Sequence, residues 1–367
     1  MTTLIDQGAE PAAEDQSRTE ALVERLLGSL IGGAELLSIE LGRRLGLYEV
    51  LAGSGGVTAP GLAQATGVAP RYLDEWLSQQ VVAGFLERDD DGHHHLPAEH
   101  VPVLVDEDSL ANKLGAGQLL GALARTIPAV AQAYGAGTGV AYSEFGADFA
   151  AGIAALNRPQ FLHLMRAWVG ELPDVAARLE GGGTVLDAGC GHGWSSIGLA
   201  QAFPDVRVVG VDLDERSIES ARVRAAGLGL ADRITFVHAN ATDEDVLRAA
   251  APEGYDLVTV FQALHDMGEP DAALRTFRAL LTAGGAVLVG DEHSVEVTGD
   301  PVARLQLAFS AMHCVPATSA ESQRVVNGTV LRPHTLRDWA EQAGFASVAE
   351  LDIEHPLWRF YRVADRS

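Results

Sequence analysis

Cysteine is scarce: the 367-residue chain holds only Cys190 and Cys314, far apart and in no CxxC spacing. That disfavours a disulfide framework or a thiolate zinc site and fits a reducing cytoplasm. Positive charge is also short, with 26 Lys and Arg against 50 Asp and Glu and a formal net charge of −24. Such a surface repels phosphate backbones and anionic headgroups, so nucleic acid and membrane surfaces are poor partners, and a small-molecule substrate is the better expectation. Long apolar runs are missing too. The uncharged stretch Thr126 to Ser143 is broken by Pro128 and three glycines and is too weakly apolar to span a bilayer. The opening MTTLIDQGAEPAAED is acidic and lacks an apolar core, which argues against a secretory signal.

What is present suffices for two cores, since 47% of residues are hydrophobic and 21% charged. Residues 1–18 are polar and read as a disordered tail. From Ala21 to Leu51 leucines recur at helical spacing across Gly28, Gly32 and Gly33, which predicts two helices. Thr58 can cap a short helix over Ala59–Thr66, Gly67 turns the chain, and Pro70 starts another helix. Phe85–Arg88 and His95–Leu96 then flank DDDGHH as a small hairpin. Helix, turn, helix, hairpin is a winged-helix arrangement, expected over 19–108. A DNA reader would make its second helix basic, but residues 59–91 hold Arg71 and Arg88 against six carboxylates. A dimerisation and pocket module is the better reading. His93, His94 and His95 fall at the hairpin tip and are expected to be solvated.

Residues 109–180 read as a helical connector and pocket lid. Over 181–367 the rhythm changes to short β-rich runs, Thr184–Asp187, Val206–Asp212, Ile234–His238, Leu257–Phe261 and Ala286–Gly290. Helices near 195–203, 215–228 and 271–282 alternate with them, and Ala346–Ile353 with Trp358–Val363 can close an antiparallel pair. The fold class is therefore α/β, a Rossmann-like parallel sheet preceded by an all-α, winged-helix domain.

The sharpest local signal is VLDAGCGHGWSS. A strand runs straight into Gly189, Gly191 and Gly193, where missing Cβ atoms let backbone approach a ligand. About twenty residues on, Asp212 ends the next strand, where a carboxylate can accept ribose hydroxyls. The form Asp187-Ala-Gly189-Cys-Gly191-His-Gly193 resembles motif I of the class I S-adenosylmethionine (SAM)-dependent methyltransferases, and the likeness covers 181–363. It implies SAM as cofactor. By position, Gly189 and Gly191 belong to the methionine side, Asp212 to the ribose, and Leu213, Asn240 and Ala241 to the adenine, with Asp187 and Cys190 as further cofactor-site candidates of the same motif. Phe261 and Gln262 border the sulfonium. Asn240 stands where the family often has Asp. RRLGLYEVLAGSGGVTAPGLAQATGV is similar to the dimerisation domain of plant-type small-molecule methyltransferases and related bacterial enzymes, which implies a homodimer.

SAM carries an activated methyl, so the enzyme must supply a nucleophile in line with it, usually by removing a proton. Two readings follow from the strand ends. In the first, His265 resembles the histidine base of plant-type O-methyltransferases and deprotonates a hydroxyl, with a neighbour such as Glu292 orienting it. In the second, His265, Asp266 and His313 form a 2-His-1-carboxylate set for one metal ion, Zn2+ or Fe2+/Fe3+. ALHD followed by MHC resembles metal-dependent bacterial C-methyltransferases of 2-oxo acids, of the phenylpyruvate and 4-methyl-2-oxovalerate β-methyltransferase type. That likeness implies C-methylation at C3 in secondary metabolism, with His293 as a further candidate base, and it leads. A SAM-sensing winged-helix regulator is the alternative from another class. Trp168, Phe145, Phe149, Met165, Phe309 and Met312 are candidate walls of an apolar pocket. Arg125 and Arg166 are candidates for gripping a carboxylate, though surface ion pairing is the plainer role for both.

Overall fold

The computed structural model describes residues 13–293, 298–321 and 330–365. The chain divides into two compact units, 1–98 and 99–367. Residues 99–108, expected within the winged-helix domain, group with the larger unit. Arg158 pairs with Asp108 at 2.8 Å, and His163 Nε2 lies 2.8 Å from the Asp108 carbonyl, tying that segment to the helix Ala147–Gly170.

The first unit opens on one long helix, Ala13–Arg44. Residues 1–12 lie outside the described residues, and the tail expected over 1–18 is too long, since 13–18 are already helical. The glycines at 28, 32 and 33 do not interrupt this helix. The break comes at Gly46, whose φ of +65° starts a second helix, Leu47–Ser54. Thr58 caps Ala59–Thr66 through its side chain and Pro70 opens Pro70–Val82. Strands β1 (Glu87–Arg88) and β2 (His94–His95) make the wing. His94 departs from the solvated reading: it is buried, and its backbone pairs with Val57.

In the second unit a seven-stranded sheet is built from β3 (Thr184–Ala188), β4 (Arg207–Asp212), β5 (Ile234–His238), β6 (Tyr255–Phe261), β7 (Leu281–Glu292), β8 (Ser347–Glu350) and β9 (Trp358–Ala364). The order is β5-β4-β3-β6-β7-β9-β8; β3 to β7 run parallel, and β9 returns antiparallel beside β7. Alternate residues of β3 and β6 feed two cores. Val185 and Leu257 pack with Phe161, Trp168 and Phe360 on one face, whereas Leu186 and Val258 pack with Phe277 and Trp339 on the other. A sheet covered on both faces accounts for its near-continuous apolar strands. Strand order reverses between β3 and β6, which opens a crevice at their carboxyl ends.

The expected connector is helical, as Gly115–Ala136, Ala147–Gly170 and Pro173–Glu180. Further on, the helical run from Pro301 to Glu321 widens into a π-turn at Ser310–Cys314. Pro316 lacks the N–H that an α-helical bond to the Met312 carbonyl would need, which favours the wider turn just before it. Among the described residues no helix is long and apolar enough to cross a membrane.

Candidate active site

At the carboxyl ends of β3, β4, β6 and β7 lies a cavity of about 720 Å³. Gly189, Cys190, Gly191, Asp212, Leu213, Asn240, Ala241, Phe261 and Gln262 all line it. The glycines differ in role. A Cβ on Gly189 would meet the Ala263 Cβ at 2.4 Å, so that position permits the loop after β6 to close in; Gly191, at φ +49°, has nothing within 4 Å where its Cβ would stand. Asp187 is not on the wall. It lies beneath the loop, 1% exposed, accepting hydroxyl protons from Ser195, Ser196 and Thr259 at 2.6, 2.6 and 2.9 Å. Its role is to tie β3 to β6 and to the helix Trp194–Ala202.

Asp212 accepts from the Gly191 amide at 2.7 Å and from the Asp214 amide at 2.9 Å. Burial nevertheless pushes its carboxyl up, so further donors would stabilise it. Asn240 Oδ1 is occupied by the amide and hydroxyl of Thr242, both at 2.9 Å, so its amide nitrogen is the group left to donate. Asp214, Asp266, Glu269, Glu292 and Glu321 add to an acidic lining.

The reactive end sits after β6. His265 is 2% exposed, and its Nδ1 lies 2.6 Å from Asp291 Oδ1. The orienting carboxylate is therefore Asp291 and not Glu292, which lines the cavity with its own carboxyl pushed up to about 7 by burial. The other imidazole nitrogen, Nε2, is 3.3 Å from Asp266 Oδ1. Burial alone would lower the His265 pKa, but Asp266 and Asp291 outweigh it and hold the imidazole well above its ordinary value.

Of the expected metal set, His265 and Asp266 do meet, but the third member differs. Ligand atoms of His265, Asp266 and Cys314 lie within 4.8 Å of one another. His313 also lines the cavity, its Nδ1 3.9 Å from Asp266 Oδ2, but is not a member of that group. It stacks on Phe149 at 4.2 Å and meets Phe145 edge-on at 4.5 Å, and burial holds its pKa down to about 4. Cys314 was passed over in the sequence because a lone cysteine carries no spacing signal; the π-turn brings it forward. Its thiol is pushed up to about 12 by burial, with Asp266 reinforcing the shift.

His293 lies outside this cavity. It follows the end of β7, its amide bonded to the Leu357 carbonyl, and borders a separate shallow hollow with His355 and Trp358. Of the candidate apolar walls, Phe149 and Phe309 line the cavity; Phe145, Met165 and Trp168 are buried core, and Met312 packs against a core cluster. Arg125 pairs with Asp148 and Arg166 with Glu180, both away from the cavity. Sequence reasoning also missed Tyr142, Asn157 and Glu321, which line the cavity from elements whose approach no local pattern announces.

Residues 179–344 match the family of methyltransferase domains, and 33–105 match the Rv2258c-like winged HTH domain. A 27-O-demethylrifamycin SV methyltransferase of Amycolatopsis mediterranei is 33% identical over 113 residues, 31% of this chain and 40% of that protein. A demethylmenaquinone methyltransferase of Clavibacter sepedonicus is 29% identical over 190 residues, 49% of this chain and 73% of that protein. The chain thus spans less than half the length of the first relative. In fold it is similar to mitomycin 7-O-methyltransferase, with a TM-score of 0.67 at 19% identity, covering 96% of this chain and 100% of that one. The β3 glycine loop, the acidic crevice at the strand reversal and these matches together mark residues 179–344 as a methyltransferase domain, preceded over 33–105 by a winged helix-turn-helix domain.

Proposed function

We propose that this enzyme methylates a hydroxyl of a small secondary metabolite, with His265 as the base and SAM as the donor. The observation that carries the reading is the His265–Asp291 pair at 2.6 Å, with His265 on the cavity wall and Asp291 buried behind it. Relatives that bear O-methyltransferase names support it. The cavity fits SAM: its volume lies within the usual range for small-molecule sites, its lining is acidic towards a cation, and Gly191 leaves open space beside Asp212. Bound SAM supplies a methyl group on a sulfonium.

The chain's own residues prepare the acceptor. Asp291 fixes the imidazole and keeps the proton on Nδ1, so Nε2 takes the hydroxyl proton once His265 is neutral. Phe149 and Phe309 cover the apolar side and keep water from the developing oxyanion. We further propose that the protein is a homodimer, supported by Leu22, Leu26 and Leu30, which are 53, 61 and 69% exposed on the long first helix.

A second reading, metal-assisted C-methylation at C3 of a 2-oxo acid, is favoured by the donor set of His265, Asp266 and Cys314. The set fits a metal: Asp266 Oδ1 is buried and makes no hydrogen bond, and imidazole, carboxylate and thiol suit zinc or iron. A metal held there would supply Lewis acidity to a chelating keto acid.

Metal analysis and transfer assays with phenols and with phenylpyruvate separate the two readings. Turnover of a hydroxylated acceptor that survives chelation and is lost in His265→Ala supports O-methylation. Loss of bound metal in Cys314→Ser, with chelator-sensitive methylation of a 2-oxo acid, replaces it by the second reading.

A further inference from the structure

A chain of side-chain amides leads from the back of the β9 turn to the cavity, and its direction is fixed at the far end. The backbone amides of Leu357 and Trp358 both donate to His355 Nδ1, at 3.2 and 2.9 Å. An Nδ1 that accepts twice carries no proton, so the proton of the neutral ring is on Nε2. Burial holds the His355 pKa down to about 4, which keeps the ring neutral. Its indole neighbours Trp168 and Trp358, with centroids at 5.9 and 4.9 Å, hold it in place.

From there each partner has one choice. His355 Nε2 donates to Gln160 Oε1 at 2.6 Å, Gln160 Nε2 donates to Asn157 Oδ1 at 2.9 Å, and Asn157 Nδ2 donates to Gln262 Oε1 at 2.7 Å. Amide oxygens and nitrogens are ordinarily interchangeable by a half-turn, but here two backbone N–H groups set the sense of the whole series. Gln262 therefore has its oxygen occupied and its NH2 left over. It lines the cavity directly after β6, at φ +50°, where among described residues only glycines otherwise have a positive φ. A strained non-glycine backbone at this place is a mark of a functional constraint.

We propose that Gln262 presents an amide N–H donor to the methyl acceptor, so that the site selects acceptors whose reacting oxygen or its neighbour carries negative charge. Asn157, Gln160 and His355 are positioning residues that act through Gln262. The inference rests on the small-molecule methyltransferase reading above and adds to it a rule for the acceptor. A donor aimed at an oxygen that gains charge as its proton leaves stabilises that charge. By position the glycine loop and Asp212 serve the methionine and ribose of SAM, and a sulfonium would gain nothing from an N–H donor, so we assign this donor to the acceptor.

Gln160→Glu tests this without touching the cavity wall. A carboxylate at 160 only accepts, so it takes the His355 and Asn157 protons; Asn157 then turns its oxygen to Gln262, and Gln262 must donate inward, leaving its carbonyl towards the acceptor. Transfer from radiolabelled SAM to catechol, 2-hydroxybenzoate and 4-nitrophenol is measured, with S-adenosylhomocysteine binding followed by calorimetry. The expected result is a loss of about tenfold or more in kcat/KM for the acceptor, with S-adenosylhomocysteine affinity held within about twofold. Gln160→Met, which breaks the series without reversing it, should lose less. Unchanged transfer in Gln160→Glu, or an equal loss of cofactor affinity, overturns the proposal. If the wild-type enzyme methylates none of the three phenols, hydroxyl transfer is the reading that fails. The imidazole nitrogen spectrum then decides the inference: an unprotonated Nδ1 on His355 retains it, and a protonated Nδ1 overturns it.

Discussion

His265 shows how much one side chain's neighbours decide. Its ring is pulled one way by burial and the other by two carboxylates, and the carboxylates win. A base must be neutral to accept a proton, so methyl transfer should fall as pH drops through a midpoint above the ordinary histidine range. Asp266→Asn removes one of the stabilising charges and should move that midpoint to lower pH; a pH–rate profile of both proteins checks it, and an unmoved midpoint would contradict the assignment. Removing the base itself, as His265→Ala, should lower kcat by about 10²- to 10⁴-fold while leaving S-adenosylhomocysteine binding nearly intact. Asp291→Asn should lose activity as well, because the ring then loses the carboxylate that orients its Nδ1. The presence of His265 at a reactive strand end was legible in the sequence. That Asp291 and not Glu292 holds it was not, since two adjacent carboxylates at the end of a strand give no sign of which one turns towards the histidine.

Among the elements, the helical run from Pro301 to Glu321 brings Phe309, His313, Cys314 and Glu321 to the cavity wall, and a glycine allows it to sit where it does. A Cβ on Gly139 would stand 2.1 Å from the Ala320 amide nitrogen and 2.6 Å from the Pro316 carbonyl, and Val140 donates its amide to that same carbonyl at 2.9 Å. Neither contact is with a movable side chain. Gly139→Ala should therefore destabilise the protein by about 1 to 3 kcal/mol, read as a lower midpoint in thermal unfolding. It should also weaken acceptor turnover, because Cys314 and Glu321 belong to the displaced run. A melting temperature equal to that of the wild type would show that the two segments separate easily. The strands, their alternation and the glycine loop were all readable from periodicity and spacing. The π-turn was not: Pro316 announces an irregularity, but not which residues it swings into the cavity.

For the molecule as a whole, charge and exposed apolar surface make opposite statements. A net charge of −24 discourages nucleic acid even with a winged helix-turn-helix domain present, so the protein should not retain duplex DNA at physiological salt in a mobility-shift assay. The long first helix, by contrast, exposes a leucine-rich face that water does not favour. Leu26→Glu with Leu30→Glu should convert a dimer to a monomer in light scattering; a wild-type monomer would remove the dimer from the reading.

The order of strands and helices, the winged module, the methyltransferase glycine loop and the positions of Asp212, Asn240 and His265 were written into local pattern. Period, capping residues and glycine spacing act over a few residues, so they survive in the linear chain. Which groups face one another across the cavity was settled only by the fold. Cys314 displacing His313 from the close donor set, Asp187 and His293 lying off the wall, and the amide series from His355 to Gln262 all join segments far apart along the chain. Their distances depend on how the two faces of one twisted sheet are covered, and no local rule encodes that.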